Sequence, residues 1–218
     1  MTVLVNAIVM VGMSLVVPAG LRLTGLAELA RIRRLWPLFA ALALVAERRG
    51  HELFGFELEI LALTVPHFHF AGFAAALVAG LVCRVDDGPA GRFAALSVPL
   101  GTLLVLVGYF IGEWAELAGA VVLTAGMWTV GLLTRRLGQA EGRDRTTRLL
   151  LFTSAAVLVA TMLLALSWAV GEATGLPRPT LTWMAATHGL GNALGFALCS
   201  LLAWHRIRTL HPSESRTA

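Results

Sequence analysis

The sequence predicts an all-α, polytopic membrane protein, a bundle of seven transmembrane helices with its N-terminus outside and its C-terminus in the cytoplasm. Three observations predict this class. Of the 218 residues, 57% are hydrophobic and only 14% are charged, with a mean hydropathy of +0.78, which is unlike a soluble domain. The apolar residues form runs close to the ~20 residues that a helix needs to cross a hydrocarbon core. Most of the arginines between these runs lie on one side of the membrane when the runs are taken as spans.

The apolar runs predict spans at residues 3–23, 35–46, 60–82, 93–111, 117–133, 149–170 and 181–204. The first begins without a basic segment, so we expect it to stay in the membrane rather than be cleaved. The second is short and contains Pro37, so it spans only if flanking arginines reach the interface, and otherwise it is re-entrant. We predict one domain over residues 1–210 and a disordered polar tail over residues 211–218.

All 17 basic residues are arginines, and the absence of lysine excludes a retinal Schiff base. Seven spans leave only Arg48, Arg49 and Arg178 on one side and 14 arginines on the other, whereas six would split them about ten to seven. Because cytoplasmic loops are enriched in basic residues, the larger group predicts the cytoplasmic face of a bacterial inner membrane. The arginines lie between spans rather than on one polar face, so nucleic acid is not a predicted partner.

Two histidine motifs lie at similar depth in predicted spans. The third span contains VPHFHFAGF, residues 65–73, with His67 and His69, and the seventh contains THGLGNALGF, residues 187–196, with His188 and Asn192. The histidines of both motifs lie about 10 Å along their helices from the outer ends. Intramembrane imidazoles are costly unless they face one another, a polar cavity or a ligand, so these four residues form the candidate site. The structural alternative for each histidine is a polar bridge between helices.

The outer helix ends carry the acid candidates Glu57, Glu59, Glu113 and Glu172. Candidate cavity walls are Asn6, Phe73, Tyr109, Trp128 and Trp168. An acid, a base and an aromatic cavity are the groups needed for cyclisation, isomerisation or epoxide opening of a lipophilic, isoprenoid-like substrate reaching the site from the bilayer. We therefore expect a membrane enzyme without a cofactor. A proton-coupled transporter remains an alternative. So does zinc or haem bound by His67, His69 and His188.

The two histidine motifs resemble those of the YndJ-like family of bacterial membrane proteins. With the pattern of spans, the resemblance covers the C-terminal three quarters of the chain. It implies that His67, His69, His188 and Asn192 act as a unit, and the family's usual transporter label implies the permease alternative. By architecture alone, seven-helix zinc amidohydrolases also gather three membrane histidines. In those proteins two histidines lie four residues apart on the last helix, where this chain has His188 and Asn192.

Overall fold

The structure is a computed structural model, and it describes residues 35–210. This range holds six helices: α1 (Leu35–Arg48), α2 (Leu58–Val85), α3 (Pro89–Ile111), α4 (Glu113–Gln139), α5 (Arg145–Thr174) and α6 (Leu181–Leu210). Between α1 and α2 lies one isolated bridge, Leu53 to Phe56, and no strand occurs within the described range. The prediction of an all-α fold is confirmed.

Five of these helices, α2 to α6, are long and apolar enough to cross a membrane. The predicted second span is α1, which has 14 residues. The predicted first span, residues 3–23, and the predicted tail, residues 211–218, lie outside the described residues. A multi-pass membrane protein is therefore confirmed.

Every described helix extends beyond its apolar run at one end or at both. Helix α5 shows the reason, because its ends are determined by capping rather than by hydropathy. At the first turn, the Asp144 side chain accepts hydrogen bonds from the backbone N–H groups of Thr146 and Thr147. At the other end, Gly175 adopts the left-handed conformation, with φ of 74°, and ends the helix. Hydropathy detects the hydrocarbon-facing part of a helix, whereas caps place its ends in the interfacial zone.

Within the described range the chain divides into two compact units, residues 35–77 and residues 78–210, with the boundary inside α2. In the first unit, Trp36 of α1 stacks on Phe68 of α2 at a centroid separation of 5.3 Å. Gly72 permits this packing, because a Cβ at that position would lie 2.7 Å from Cγ of Trp36. The second unit contains α3 to α6.

Helices α3 and α4 form a tight hairpin joined by Gly112 alone, whose φ of 138° favours glycine. The two backbones touch at glycines contributed by both helices. A Cβ at Gly101 or at Gly119 would lie 2.5 Å from backbone atoms of the opposite helix, and one at Gly108 would lie 2.4 Å away. Small residues allow such close approach, which is how helices gain packing energy in a membrane.

The side chains of α5 that hydrogen-bond to α6 recur every seven residues. They are Thr147, Ser154 and Thr161, each at most 4% exposed. Their partners on α6 are, respectively, Arg206 at 3.1 Å, Ser200 at 2.6 Å and Asn192 at 3.0 Å. We call these three contacts the α5–α6 polar seam. Seven residues make nearly two turns, about 10 Å, so the seam runs along one face of α5 through most of the membrane.

Asp144 lies at the N-terminal end of this seam, just outside the membrane-spanning part of α5. Its carboxylate accepts hydrogen bonds from the Thr147 hydroxyl at 2.5 Å and from the Arg206 guanidinium at 2.9 Å. The hydroxyl and backbone N–H of Thr147, followed by Arg206, hold the pKa of the Asp144 carboxyl well below its usual range. The capping charge therefore persists at acidic pH, and this end of the seam stays paired.

The α3–α4 contact predicts opposite effects for two glycine substitutions in α4. Gly119→Ala adds a methyl group 2.5 Å from the Val105 nitrogen, and overpacking of this kind costs about 1–3 kcal/mol. Gly131→Ala is the matched control, because its methyl group would make only ordinary contacts, with Leu158 at 3.6 Å and the Ala155 backbone oxygen at 3.7 Å. The substitution gains up to about 1 kcal/mol of helix propensity. Thermal unfolding in detergent should rank Gly131→Ala at or above wild type and Gly119→Ala below it. Equal stabilities would contradict the hairpin packing.

Candidate functional site

His188 lies in the membrane-spanning part of α6 and is held by both ring nitrogens. Its Nδ1 lies 2.7 Å from the Thr161 backbone oxygen, which can only accept, so Nδ1 carries the proton and donates it. Its Nε2 lies 3.2 Å from Asn192 Nδ2, which can only donate, so Nε2 is unprotonated. These contacts define a neutral imidazole with a fixed tautomer.

Thr161 completes this arrangement from α5. Its hydroxyl lies 3.0 Å from Asn192 Oδ1 and donates to it. We call Thr161, His188 and Asn192 the His188 cluster. Within the described part of the chain no carboxylate hydrogen-bonds to the cluster, and the second N–H of the Asn192 amide has no partner there. The cluster is thus a bridge between two helices that retains one spare donor.

The local backbone of α6 brings this cluster against α5. His188 lies in a π-helical turn, Ala185–Gly189, and Asn192 lies in a second one, Gly191–Leu198. A Cβ at Gly191 would lie 2.8 Å from Thr161 Cγ2, and one at Gly195 would lie 2.7 Å from Val157 Cγ2. Both glycines pack against α5, because their lack of a side chain permits this close approach. π-Helical turns are rare and occur frequently at functional sites.

The other histidine motif lies in the first unit, also in a π-helical turn, Phe68–Ala74. His69 Nδ1 lies 2.8 Å from the Val65 backbone oxygen, so Nδ1 carries a proton and donates it, as in His188. His67 contacts the edge of Phe68 at a centroid separation of 6.0 Å, and Phe73 is buried. His69 and His188 belong to different units, and their grouping in one site stays a prediction.

The predicted acid residues occupy different environments. Glu57 and Glu59 are exposed at the start of α2, and Glu113 is exposed at the start of α4. Glu172 forms an ion pair with Arg178. Because Glu172 lies eleven residues beyond Thr161, it is about 16 Å further along α5, well outside hydrogen-bonding range of the His188 cluster.

Glu116 is the buried carboxyl of the described residues, and it was not among the predicted acids. It is 9% exposed and packs against Gly108 of α3, one turn from an apolar cluster formed by Val105, Ala120 and Ala169. The signal for it was the short α3–α4 connection, which brings the first turn of α4 against α3. Glu113, three residues earlier, faces outward.

The residues predicted to line a cavity also lie in different environments. Tyr109 is 47% exposed and Trp128 is 38% exposed on their helix surfaces, which favours contact with lipid. The Arg178 guanidinium lies 5.0 Å from the centre of the Trp168 ring, a cation–π contact. Asn6 lies outside the described residues. Within the described range no three His, Cys, Asp or Glu side chains are grouped to hold a metal ion.

Comparison with known proteins agrees with the motif resemblance. A model of the YndJ-like protein family matches residues 35–196, a range that includes both histidine motifs. The uncharacterized membrane protein YndJ of Bacillus subtilis (strain 168) is 25% identical over 158 residues, which are 72% of this chain and 28% of that protein. The chain thus spans less than a third of the length of this curated relative. No solved structure matches the chain.

Proposed function

The chain belongs to the YndJ-like protein family, and we propose that it is an integral membrane enzyme that performs acid–base chemistry on a lipophilic, isoprenoid-like substrate. The observation that carries the proposal is the His188 ring, whose Nδ1–H is anchored on a backbone carbonyl and whose Nε2 lone pair meets only an amide N–H. An imidazole fixed in this way has the protonation state that a general base needs. Asn192 supplies a donor beside it.

The cluster provides the groups for a proton-transfer isomerisation. A substrate displaces the Asn192 N–H from Nε2, where the separation of 3.2 Å is at the long end of the hydrogen-bond range. Nε2 then removes a proton from one substrate atom, and the Asn192 amide donates to the oxygen on which negative charge develops. The imidazolium returns the proton at a second atom, so no oxidant or co-reactant is needed. Cyclisation and epoxide opening would need a separate acid, such as a predicted glutamate.

The surroundings of the cluster favour a lipophilic substrate. Helices α5 and α6 expose large apolar side chains along their length: Val159, Leu163, Val170, Leu194, Leu198 and Leu202. A polar cluster between two helices with apolar outer faces is reached from the bilayer more readily than from water. The substrate should therefore partition into lipid and carry a polar group that can reach Nε2.

The functional test compares membrane lipids of cells that express wild-type protein, His188→Ala or His205→Ala. His205 lies on α6 as well, but it is exposed, so its substitution controls for expression and insertion. We expect His188→Ala to accumulate one lipophilic species and to lose its isomer of identical mass by at least about 100-fold, which is typical of losing a general base. His205→Ala should match wild type.

Three results, from that comparison or from the purified protein, would count against the enzyme. Identical lipid profiles for wild type and a stably inserted His188→Ala would remove His188 as a base. Movement of an unchanged solute by proteoliposomes, abolished in His188→Ala, would support the proton-coupled transporter instead. A stoichiometric metal or haem in purified wild type, lost in His188→Ala, would support the metal-binding alternative.

The proposed topology has seven spans in the bacterial inner membrane, with the N-terminus outside the cell membrane and the C-terminus in the cytoplasm. It rests on the 14 to 3 partition of arginines across the predicted spans. A cysteine placed within residues 172–179 should react with a membrane-impermeant thiol reagent added outside intact cells, whereas one placed at Gln139 should react only after lysis. The reverse pattern would invert the topology and put the His188 cluster in the cytoplasmic half of the membrane.

A further inference from the structure

We propose that Thr161 is a positioning residue that keeps His188 in its neutral Nδ1–H tautomer by fixing the orientation of the Asn192 amide. The inference rests on the proposed function only for the importance of an unprotonated Nε2. The protonation and the tautomer of the His188 ring can be measured without any substrate.

Thr161 contacts α6 through three different groups. Its backbone oxygen accepts from His188 Nδ1 at 2.7 Å, its hydroxyl donates to Asn192 Oδ1 at 3.0 Å, and its methyl group faces Gly191, where a Cβ would lie 2.8 Å away. The side chain is 4% exposed. The hydroxyl also lies 3.3 Å from the Leu158 backbone oxygen, the usual alternative for a threonine in a helix, so donation to Asn192 is the shorter of its two options.

The orientation of the Asn192 amide determines which form of the ring is stable. With Oδ1 on the Thr161 hydroxyl, Nδ2 faces His188 and needs an acceptor, so Nε2 must lack a proton. If the amide turned by 180°, Oδ1 would face His188 and favour a proton on Nε2, either in the other tautomer or in the imidazolium. The backbone carbonyl of Thr161 favours Nδ1–H in both cases, so it cannot distinguish the neutral ring from the imidazolium. The Thr161 hydroxyl favours the first orientation, because there it donates to Asn192 Oδ1 at 3.0 Å. In the turned orientation it would accept from Nδ2, and its own proton would be left with the Leu158 backbone oxygen at the longer distance of 3.3 Å.

This gives Thr161 a role in the catalytic cycle without contact to substrate. When Nε2 takes a proton, the amide can stabilise the charged ring only by turning its oxygen from the hydroxyl to the ring, and the hydroxyl then has only the Leu158 backbone oxygen at 3.3 Å as its acceptor. This longer contact favours return of the proton, which restores the unprotonated Nε2. A threonine fits here because the methyl group fills the space beside Gly191 and the hydroxyl holds the amide, whereas serine provides only the second of these.

The experiment uses the full chain in liposomes, with histidine labelled by a nitrogen isotope, and reads the ring by solid-state NMR at neutral pH. The His188 signals are assigned by their absence in His188→Ala. Wild type should show one tautomer, with Nδ1 protonated and Nε2 unprotonated. Thr161→Val, which has nearly the same shape but no hydroxyl, should show at least about a tenth of the ring with a protonated Nε2. Thr161→Ser should restore the wild-type spectrum.

Two results would overturn the proposal. A wild-type ring protonated on Nε2 would contradict it without any variant, so the test does not depend on how Thr161→Val folds. A folded Thr161→Val with a wild-type spectrum would show that the hydroxyl does not set the proton state. If His188→Ala leaves lipids unchanged while Thr161→Val shifts the spectrum, the positioning role stands and the enzyme proposal fails.

Discussion

The second unit depends on one constraint: a polar group inside a membrane must find its partner within the protein, because the hydrocarbon core offers no water. The α5–α6 polar seam meets this constraint with three contacts at seven-residue intervals, from Arg206 near one membrane face to Asn192 at depth. Each such contact contributes little, about 0.6 kcal/mol on average in membrane proteins. Together they define the register of α6 against α5, because a shift of α6 by one residue would separate the partners in all three contacts of the seam.

The seam explains why the His188 cluster has its form. A bridge between helices needs only satisfied hydrogen bonds, and Thr161, His188 and Asn192 supply them to one another. The same hydrogen bonds fix the tautomer of His188, leave Nε2 unprotonated and orient the Asn192 amide beside it. A general base requires this arrangement. Structural and chemical roles are therefore not exclusive here. The π-helical turns and Gly191 bring α6 close enough to α5 for both roles.

The sequence predicted the features that depend on local pattern. Long apolar runs located the five helices that are long and apolar enough to cross a membrane, and the four-residue spacing of His188 and Asn192 placed them about one turn apart on one helix. It could not identify Thr161 as their partner, because that contact joins residues far apart in the chain and depends on the register of two helices. Nor could it separate the exposed Glu113 from the buried Glu116, since burial depends on which face of α4 meets α3 at Gly108.

Cross-linking across the seam tests this register most directly. Ser154 Oγ and Ser200 Oγ are 2.6 Å apart, close to the length of about 2.05 Å of a disulfide bond, so cysteines at both positions should oxidise readily. The native Cys83 and Cys199 are first replaced by alanine. Cysteines at positions 154 and 202 serve as the control, because Leu202 is 45% exposed on α6. We expect rapid intramolecular cross-linking of the 154–200 pair and little of the 154–202 pair. Preferential cross-linking of the 154–202 pair would contradict this register.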